Sequence, residues 1–504
     1  MPSLYSTTQI RCAELHAQAG LEPLALMVRA ARAISDACAS EARMLSPNTP
    51  IIAMVGPGNN GGDALLAAID LRGRGFNTQA LVLQPEPIGS SDAATALAAA
   101  RRADLPLLSA FPDIAMGQVL FIDGLFGIGL SRPIEGRAAQ WVTALNSQPS
   151  SVIAIDIPSG INADTGAVVG GHRGLAVRAR RTLTFIGDKP GLRTGPGRAH
   201  AGEVQVESLE VAPSSPGGTL VAEPEARLLA APLARSPDSH KGHFGHVGII
   251  GGSAGMRGAA LLAALGAQRC GAGKVSVGSP DGWRPDPNLH PQLIALPASA
   301  INASAYDAWV IGCGMGQSPR AQSVLRQLIH RSDSPWVIDA DALNLLATDA
   351  LLAATLCNKI IPVILTPHPL EAARLLGITT DRVQADRVAH ARQIASRFRS
   401  IVVLKGAGSV CAHPDGRWAI IDAGSPSLAT AGTGDVLAGV IGGLLAQGLA
   451  PAQAACLGAY VHGHAAELFD QTAPGIMGLA AGDLPPWVAK ALNKLISPLP
   501  GPAT

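Results

Sequence analysis

In the stretch ATAGTGDVLAG (residues 429–439) a carboxylate, Asp435, follows a threonine and glycines where an apolar run begins. If a helix starts there, the amides of Gly432, Thr433 and Gly434 are free donors at the positive end of the helix dipole, roughly half a unit charge. Such a terminus attracts phosphate oxygens, and glycine lets the backbone approach them with no Cβ in the way. A carboxylate beside that cradle repels a resting phosphate, so the chemistry it suggests is deprotonation of a hydroxyl that attacks phosphorus. The alternative is that Asp435 caps the helix.

Other polar residues fall at the ends of strand-like runs. LKGAGSV (residues 404–410) ends a strand in a lysine and a small-residue turn, a shape that can hold adenosine phosphates. ILTPHPLEAARLLG places His368 at a strand end, and WVIDADALNLLA does the same with Asp339 and Asp341. Nearer the N-terminus, GPGNNGGDALL (residues 56–66) follows a strand and opens a helix, which suits a phosphate or pyrophosphate, or else marks only a tight turn. FIDGLFGIGL (residues 121–130) and AIDIPSGINADTG (residues 154–166) add two more strand ends, each with an aspartate. Asn60, Asp123 and Ser159 offer hard oxygen ligands, which suit an alkali or alkaline-earth ion better than a transition metal.

These residues need a scaffold, and the sequence has the pattern of one. From Pro50 onward, strand-like PIIAMV, ALVLQ, QVLFID and SVIAID alternate with helix-like DALLAAIDLRGRG, SDAATALAAARRAD and RAAQWVTALNSQ. A second alternating block runs through HVGIIGG, WVIGCG, WVIDA, PVILTPH and IVVLKG. Short apolar runs alternating with helical periods predict α/β folds, each a mostly parallel sheet covered on both faces. Carboxyl ends of parallel strands converge on one crevice, where ligands of open α/β sheets bind. The Pro, Ser and Gly-rich segment after Val211 reads as a linker, giving a first domain at 1–212, a linker at 213–222 and a second domain at 223–504.

Composition bounds the function. With 504 residues, 47% of them apolar and 3% aromatic, the chain can bury more than one core. A net charge of +1 leaves no electrostatic footprint for nucleic acid or a membrane surface. No uncharged apolar stretch reaches the about 20 residues of a bilayer span, and seven scattered cysteines without a CxxC pair point to a reducing compartment, so a cytoplasmic protein is expected.

The second block, through GIIGGSAGMRGAALLAALGAQRCGAGKVSV, GCGMG, DADALN, LTPHPLEAARLLG, KGAGS and AGTGDVLAGVIGGLLAQG in that order, resembles the ADP- or ATP-dependent NAD(P)H-hydrate dehydratases, a ribokinase-like family. These enzymes remove water from nicotinamide cofactors hydrated across a ring double bond, by a kinase-like step on the ring hydroxyl followed by loss of phosphate. The resemblance implies Asp435 as the base. It implies nucleotide contacts from Lys405, Gly406, Ala407, Gly408, Ser409 and Gly434, with magnesium bound mainly through the ADP or ATP phosphates. Ala259, Gly316, His368 and Asp435 would touch the hydrated cofactor.

The first block, with GPGNNGGDALL, FIDGLFGIGL, AIDIPSGINADTG and then TLTFIGDKPGL, is similar to the NAD(P)H-hydrate epimerases, which interconvert the two forms at the carbon bearing the hydroxyl. That resemblance implies a Rossmann-like three-layer domain beside a ribokinase-like three-layer domain. It implies that Asn59, Asn60, Gly61, Gly62 and Asp63, with Gly127, Ile128, Gly129, Leu130, Ser131, Arg132 and Pro133, embrace the hydrate. Asn60, Asp123 and Ser159 would hold potassium. Asp156 would contact the ligand and is the candidate general base, apolar Ile153, Ile155 and Ile157 beside it favouring desolvation; orienting the ligand is its alternative role. Ala64, Ile128, Ser409 and Ser425 depart from the families' usual glycine, threonine, threonine and asparagine without removing a charged catalytic group.

The expectation is therefore a bifunctional repair enzyme, the epimerase feeding a dehydratase that uses one epimer, with ADP as the donor favoured by bacterial members and a homo-oligomer, a tetramer or larger, as the assembly. Its rivals are a ribokinase-like vitamin or sugar kinase with an accessory N-terminal domain, and a non-catalytic nucleotide-binding module. His240, His243 and His246 lie in a glycine-broken loop without a carboxylate, and His462 and His464 face apart on a helix, so none is expected to bind metal.

Overall fold

Val247, Ile249 and their neighbours alternate between two buried faces, which is what apolar runs do when both sides of a sheet are covered. In the computed structural model, which describes residues 1–46, 48–84, 92–112, 119–148, 151–296, 305–331, 333–473 and 475–497, this pattern recurs in two units. One is Ser3–Gly218; the other is Thr219–Thr504 with Met1–Pro2. Ser91 and Gln118, which begin two of the expected elements, lie outside the described residues.

In the first unit, β1 (Ile51–Val55), β2 (Thr78–Val82), β3 (Leu107–Leu108), β4 (Leu120–Gly124), β5 (Ser151–Ile155), β6 (Arg181–Phe185) and β7 (Glu203–Glu207) form one parallel sheet in the order β3-β2-β1-β4-β5-β6-β7. Ile51, Ala53 and Val55 of β1 pack with α2 (Ala25–Leu45), α3 (Asn59–Gly73) and α4 (Asp92–Arg102), while Ile52 and Met54 pack with Trp141 and Val142 of α5 (Gly136–Asn146). Three layers result. The strand order reverses between β1 and β4, so the segments leaving their carboxyl ends, from Gly56 and from Leu125, open the crevice. Gly56 is obligatory there, because a Cβ would fall 1.6 Å from the Leu125 carbonyl oxygen.

The second unit repeats the plan. Its strands are β8 (Gly218–Val221), β9 (His246–Ile250), β10 (Lys274–Gly278), β11 (Ile294–Ala295), β12 (Ala308–Ile311), β13 (Trp336–Ile338), β14 (Val363–Leu365), β15 (Ile401–Leu404), β16 (Val410–Ala412) and β17 (Trp418–Ile421). Their order is β8-β17-β16-β15-β14-β13-β12-β9-β10-β11, parallel except for the antiparallel pairs β15–β16 and β16–β17. Strand β8 falls inside the segment read as a linker, where Thr219, Leu220 and Val221 pair with β17. Val247, Ile249, Val310 and Val337 join one core, and the alternate Trp309, Ile311, Trp336 and Ile338 are buried on the other face. The order reverses between β9 and β12.

Helices α6 (Arg257–Arg269) and α9 (Thr433–Ala446) pack over this sheet almost backbone to backbone. Small residues make that possible: a Cβ on Gly439 would lie 1.9 Å from the Ala263 carbonyl oxygen. We expect Gly439→Ala to lower stability by about 1–3 kcal/mol through overpacking, seen as a reduced urea midpoint. An unchanged midpoint would show that the helices can part at no cost. No single helix among the described residues is long and apolar enough to cross a membrane.

Candidate active sites

The second unit holds a cleft of about 500 Å³ where strand ends and helix starts converge. Met256 and Ala259 line it from the turn after β9 and from α6, Gly314 from the turn after β12, and Asp341 and Asn344 from α7 (Ala340–Thr348). Glu371 contributes from α8 (Pro369–Leu376), and Gly432 and Asp435 from the start of α9. Gly432 is the N-cap of α9, in the left-handed region at φ 95°, and the helix has no side-chain cap. Asp435 is therefore free of the capping role. Among the described residues, the amides of Gly432, Thr433, Gly434 and Asp435 meet no protein acceptor, which leaves a donor cradle at the helix start.

The electrostatics around Asp435 are those of a crowded carboxyl. Cys313 Sγ and oxygens of Asp339 and Asp435 lie within 4.8 Å of one another. Burial, reinforced by the Asp339 charge, pushes the Asp435 carboxyl up to about 6, against the lowering influence of the Cys313 thiol and Lys405. Lys405 Nζ donates to Asp339 Oδ1 at 2.7 Å. Burial opposes charge on that ammonium, but Asp339 and Glu371 outweigh it and raise its pKa. A Cβ on Gly434 would stand 3.1 Å from Lys405 Nζ, so the lysine reaches the start of α9. Burial also pushes Glu371 up to about 7, though Lys405 pulls the other way.

Behind the cradle, buried His462 donates from Nε2 to the Thr433 carbonyl oxygen at 2.8 Å. Burial pushes its imidazole down to about 4, so it stays neutral and holds the turn as a hydrogen-bond donor. It lies on Pro451–Asp470, α10. His368 is the N-cap of α8: Nδ1 accepts from the Leu370 and Glu371 amides at 3.2 and 3.3 Å. Its Nε2 faces Glu371 Oε1 at 3.3 Å; Glu371 lines the cleft, and His368 itself does not. The Gly316 amide donates to Asp341 Oδ2 at 2.8 Å, tying the turn after β12 to α7. Ser409 Oγ closes the Lys405–Ser409 turn by donating to the Gly406 carbonyl oxygen at 3.2 Å.

The first unit encloses a cavity of about 740 Å³. Its walls include Asn59, Asn60 and Asp63 at the start of α3, Gly127 to Arg132 after β4, Asp156 after β5, and Arg11 and Glu14 from α1 (Thr7–Gln18). Gly61 and Gly62, within the same turn of α3, are buried, and Pro133 is exposed just past the lining segment. Asp156 has φ 64°, a strained value for a residue with a Cβ. Its Oδ1 accepts from Lys189 Nζ at 2.7 Å, the Phe185 amide at 3.1 Å and Thr184 Oγ1 at 3.3 Å, while among the described residues none donates to Oδ2. Lys189 is fully buried, its ammonium also within reach of the Phe185 and Gly187 carbonyls.

Asp123, Ser159 and Asn60 cluster at the floor of the same crevice. Asp123 accepts from the Ser159 amide at 2.8 Å and Ser159 Oγ at 2.7 Å, and that hydroxyl lies 3.1 Å from the Phe126 carbonyl oxygen. Asn60 donates from Nδ2 to the Ile155 carbonyl oxygen, leaving Oδ1 beside Gly127. Among the described residues no basic side chain pairs with Asp123, and burial pushes its carboxyl up to about 6. Hard oxygens around a buried carboxyl without a basic partner suit an alkali or alkaline-earth ion better than a transition metal.

Three site features escaped sequence reasoning. Lys189 falls in TLTFIGDKPGL, but its partner lies 33 positions away, and no local spacing reveals the pair. Cys313 lies in the loop after β12 between Gly312 and Gly314, both at positive φ, and only the tertiary fold brings its Sγ within 4.8 Å of an Asp435 oxygen. His462 sits on α10, and only the tertiary fold brings it to Thr433.

Comparison with known proteins adds a second line of information. A family model described as NAD(P)H-hydrate dehydratase matches residues 247–484, and one described as YjeF-related protein N-terminus matches residues 23–191. The bifunctional NAD(P)H-hydrate repair enzyme Nnr of Coxiella burnetii is 36% identical over 509 residues, covering 98% of this chain and 100% of that protein. The ADP-dependent (S)-NAD(P)H-hydrate dehydratase of Neisseria meningitidis is 44% identical over 268 residues, 52% of this chain and 90% of that one. Among solved structures, the ADP/ATP-dependent NAD(P)H-hydrate dehydratase of Bacillus subtilis, co-crystallised with ATP/Mg2+, is 30% identical with a TM-score of 0.49, covering 55% of this chain and 99% of that one.

Proposed function

The chain belongs to the bifunctional NAD(P)H-hydrate repair enzymes, and from that premise we propose a division of labour between its two sites. The second unit dehydrates one epimer of the hydrate, using ADP as phosphoryl donor. The first interconverts the epimers. The observation that carries the dehydratase reading is an uncapped helix start whose free amides adjoin a carboxyl raised to about 6.

In this mechanism the Asp435 carboxylate takes the proton from the ring hydroxyl as its oxygen attacks the terminal phosphorus of the nucleotide. The amides of Gly432 to Asp435 stabilise the charge on the transferring group, an effect for which one lost donor costs roughly 3 kcal/mol. Elimination of phosphate then restores the ring double bond. Lys405 to Ser409 and Gly434 hold the nucleotide, and Ala259, Gly316 and His368 hold the hydrate. Mg2+ is held mainly by the phosphates, since the Lys405 ammonium already occupies Asp339.

In the first unit Asn59 to Asp63 and Gly127 to Pro133 grip the hydrate, and Asp156 moves the proton through Oδ2. Asn60, Asp123 and Ser159 hold K+, with the Phe126 carbonyl as a further ligand. Exchange of K+ for tetramethylammonium is expected to slow epimerisation at least tenfold and leave dehydration unaltered; equal epimerisation rates in the two salts would remove the potassium site. The domain division at 1–212 and 223–504, a cytoplasmic location and a homo-oligomeric assembly free of nucleic acid and membrane belong to the same reading.

Mixed hydrate epimers supplied with ADP and Mg2+ test the whole. Near-ultraviolet absorbance should recover for both epimers, faster than spontaneous interconversion permits. A stable phosphorylated product without recovered absorbance would favour a ribokinase-like kinase instead, and inertness toward both epimers would favour a nucleotide-binding module.

A further inference from the structure

Asp63 is the buried acid that the division of labour above leaves without a task beyond binding. It lies on the first turn of α3 and lines the 740 Å³ cavity together with Asp156. It is 8% exposed, and among the described residues its carboxyl has neither a hydrogen-bond nor an ion-pair partner. The same cavity wall gives Asp156 the opposite treatment, a fully buried ammonium at 2.7 Å. Two carboxyls in one cavity, one compensated and one not, are the arrangement that separates a proton acceptor from a proton donor.

We propose that Asp63 is the proton donor of the epimerisation: its neutral carboxyl protonates the departing hydroxyl of the hydrate, and Asp156 accepts a proton from the water that replaces it. The charged groups facing Asp63 support the neutral form. Burial raises its pKa well above the usual carboxylate range, and Asp156 after β5, Glu14 on α1 and Asp92 on α4 all push in the same direction. Glu14 is itself raised, by burial first and then by Asp156, although Arg11 opposes this.

The step balances without an external reagent. Hydration of an enamine-type ring double bond leaves the hydroxyl on the carbon bonded to the ring nitrogen. The Asp63 proton passes to that oxygen, the carbon–oxygen bond breaks with its electron pair going to oxygen, and water departs. The nitrogen lone pair closes a carbon–nitrogen double bond. Water then adds to the same carbon from the other face, releases one proton to Asp156, and the proton returns to Asp63 through the water of the cavity.

This inference rests on the epimerase reading, and the test separates the two. Epimer interconversion is followed in the full-length protein by chromatography, with the spontaneous rate subtracted. Asp63→Asn keeps the shape and removes the donor. It should lower the epimerisation rate by about 10²-fold or more while dehydration of the S form, at the other site, is unaltered. In the wild type the rate should fall as pH rises through the elevated Asp63 pKa, and the variant should lack that limb. Inversion in H2(18)O should incorporate one solvent oxygen per event. Wild-type rate and pH profile in Asp63→Asn, or inversion with the original oxygen retained, overturns the proposal and leaves the epimerase reading intact. A wild type that does no better than the spontaneous rate overturns both.

Discussion

Asp435→Asn lowers the rate of ADP-dependent dehydration by about 10²–10⁴-fold, the usual contribution of a positioned base, while nucleotide affinity stays within a few-fold. The split follows from the geometry. The phosphates are gathered by amides and by Lys405, and neither depends on the Asp435 charge; removing a negative group beside the cradle relieves repulsion. The base must be ionised to act, and its carboxyl is pushed up to about 6, so wild-type turnover falls as the pH drops through that value. The variant's residual rate has no such limb. Absorbance recovery with the S hydrate from pH 5 to 8 and nucleotide titration calorimetry check the two halves of this expectation. Comparable turnover in the variant removes Asp435 from the reaction, whereas loss of nucleotide binding in step with turnover makes it a binding group.

Much of this cleft was legible before the structure. The glycines and threonine ahead of Asp435 announce a helix start with free amides, and the strand ends at Asp339, His368 and Lys405 all belong to parallel β13, β14 and β15. A short unbroken apolar run followed by a polar residue is local information, so sequence carries it. What the sequence could not carry is how those strand-end residues spend their polar atoms. Lys405, expected at the nucleotide, is also ion-paired to Asp339. His368, expected at the hydrate, uses Nδ1 to cap α8. Both contacts depend on rotamers set by neighbours on other strands. The expected linker illustrates a different limit: Pro, Ser and Gly after Val211 signal irregular chain, yet Thr219–Val221 pairs with β17 because an open sheet edge rewards any short β-branched segment that reaches it.

The largest effect on the first unit belongs to a residue that sequence reasoning assigned no role. Lys189→Met is expected to cost about 3–5 kcal/mol of local stability, because it strands the Asp156 carboxylate in a buried setting without its counter-charge. The Lys189 side chain is 0% exposed and that of Asp156 11%, so solvent cannot substitute for the lost ammonium. The carbonyls of Phe185 and Gly187 lose a donor in the same change. Asp156 also sits at φ 64°, a backbone state that persists only while its surroundings enforce it. Hydrogen exchange at the amides of β5 and β6 in the full-length protein measures the loss directly, and protection unchanged within 1 kcal/mol would mean the pair contributes nothing net. Adding Asp156→Asn to Lys189→Met removes the stranded charge and should recover part of the stability without recovering epimerisation. That pattern distinguishes the two roles of the pair: the ion pair fixes Oδ1 and the local fold, and Oδ2, to which none of the described residues donates, is the atom available to the substrate.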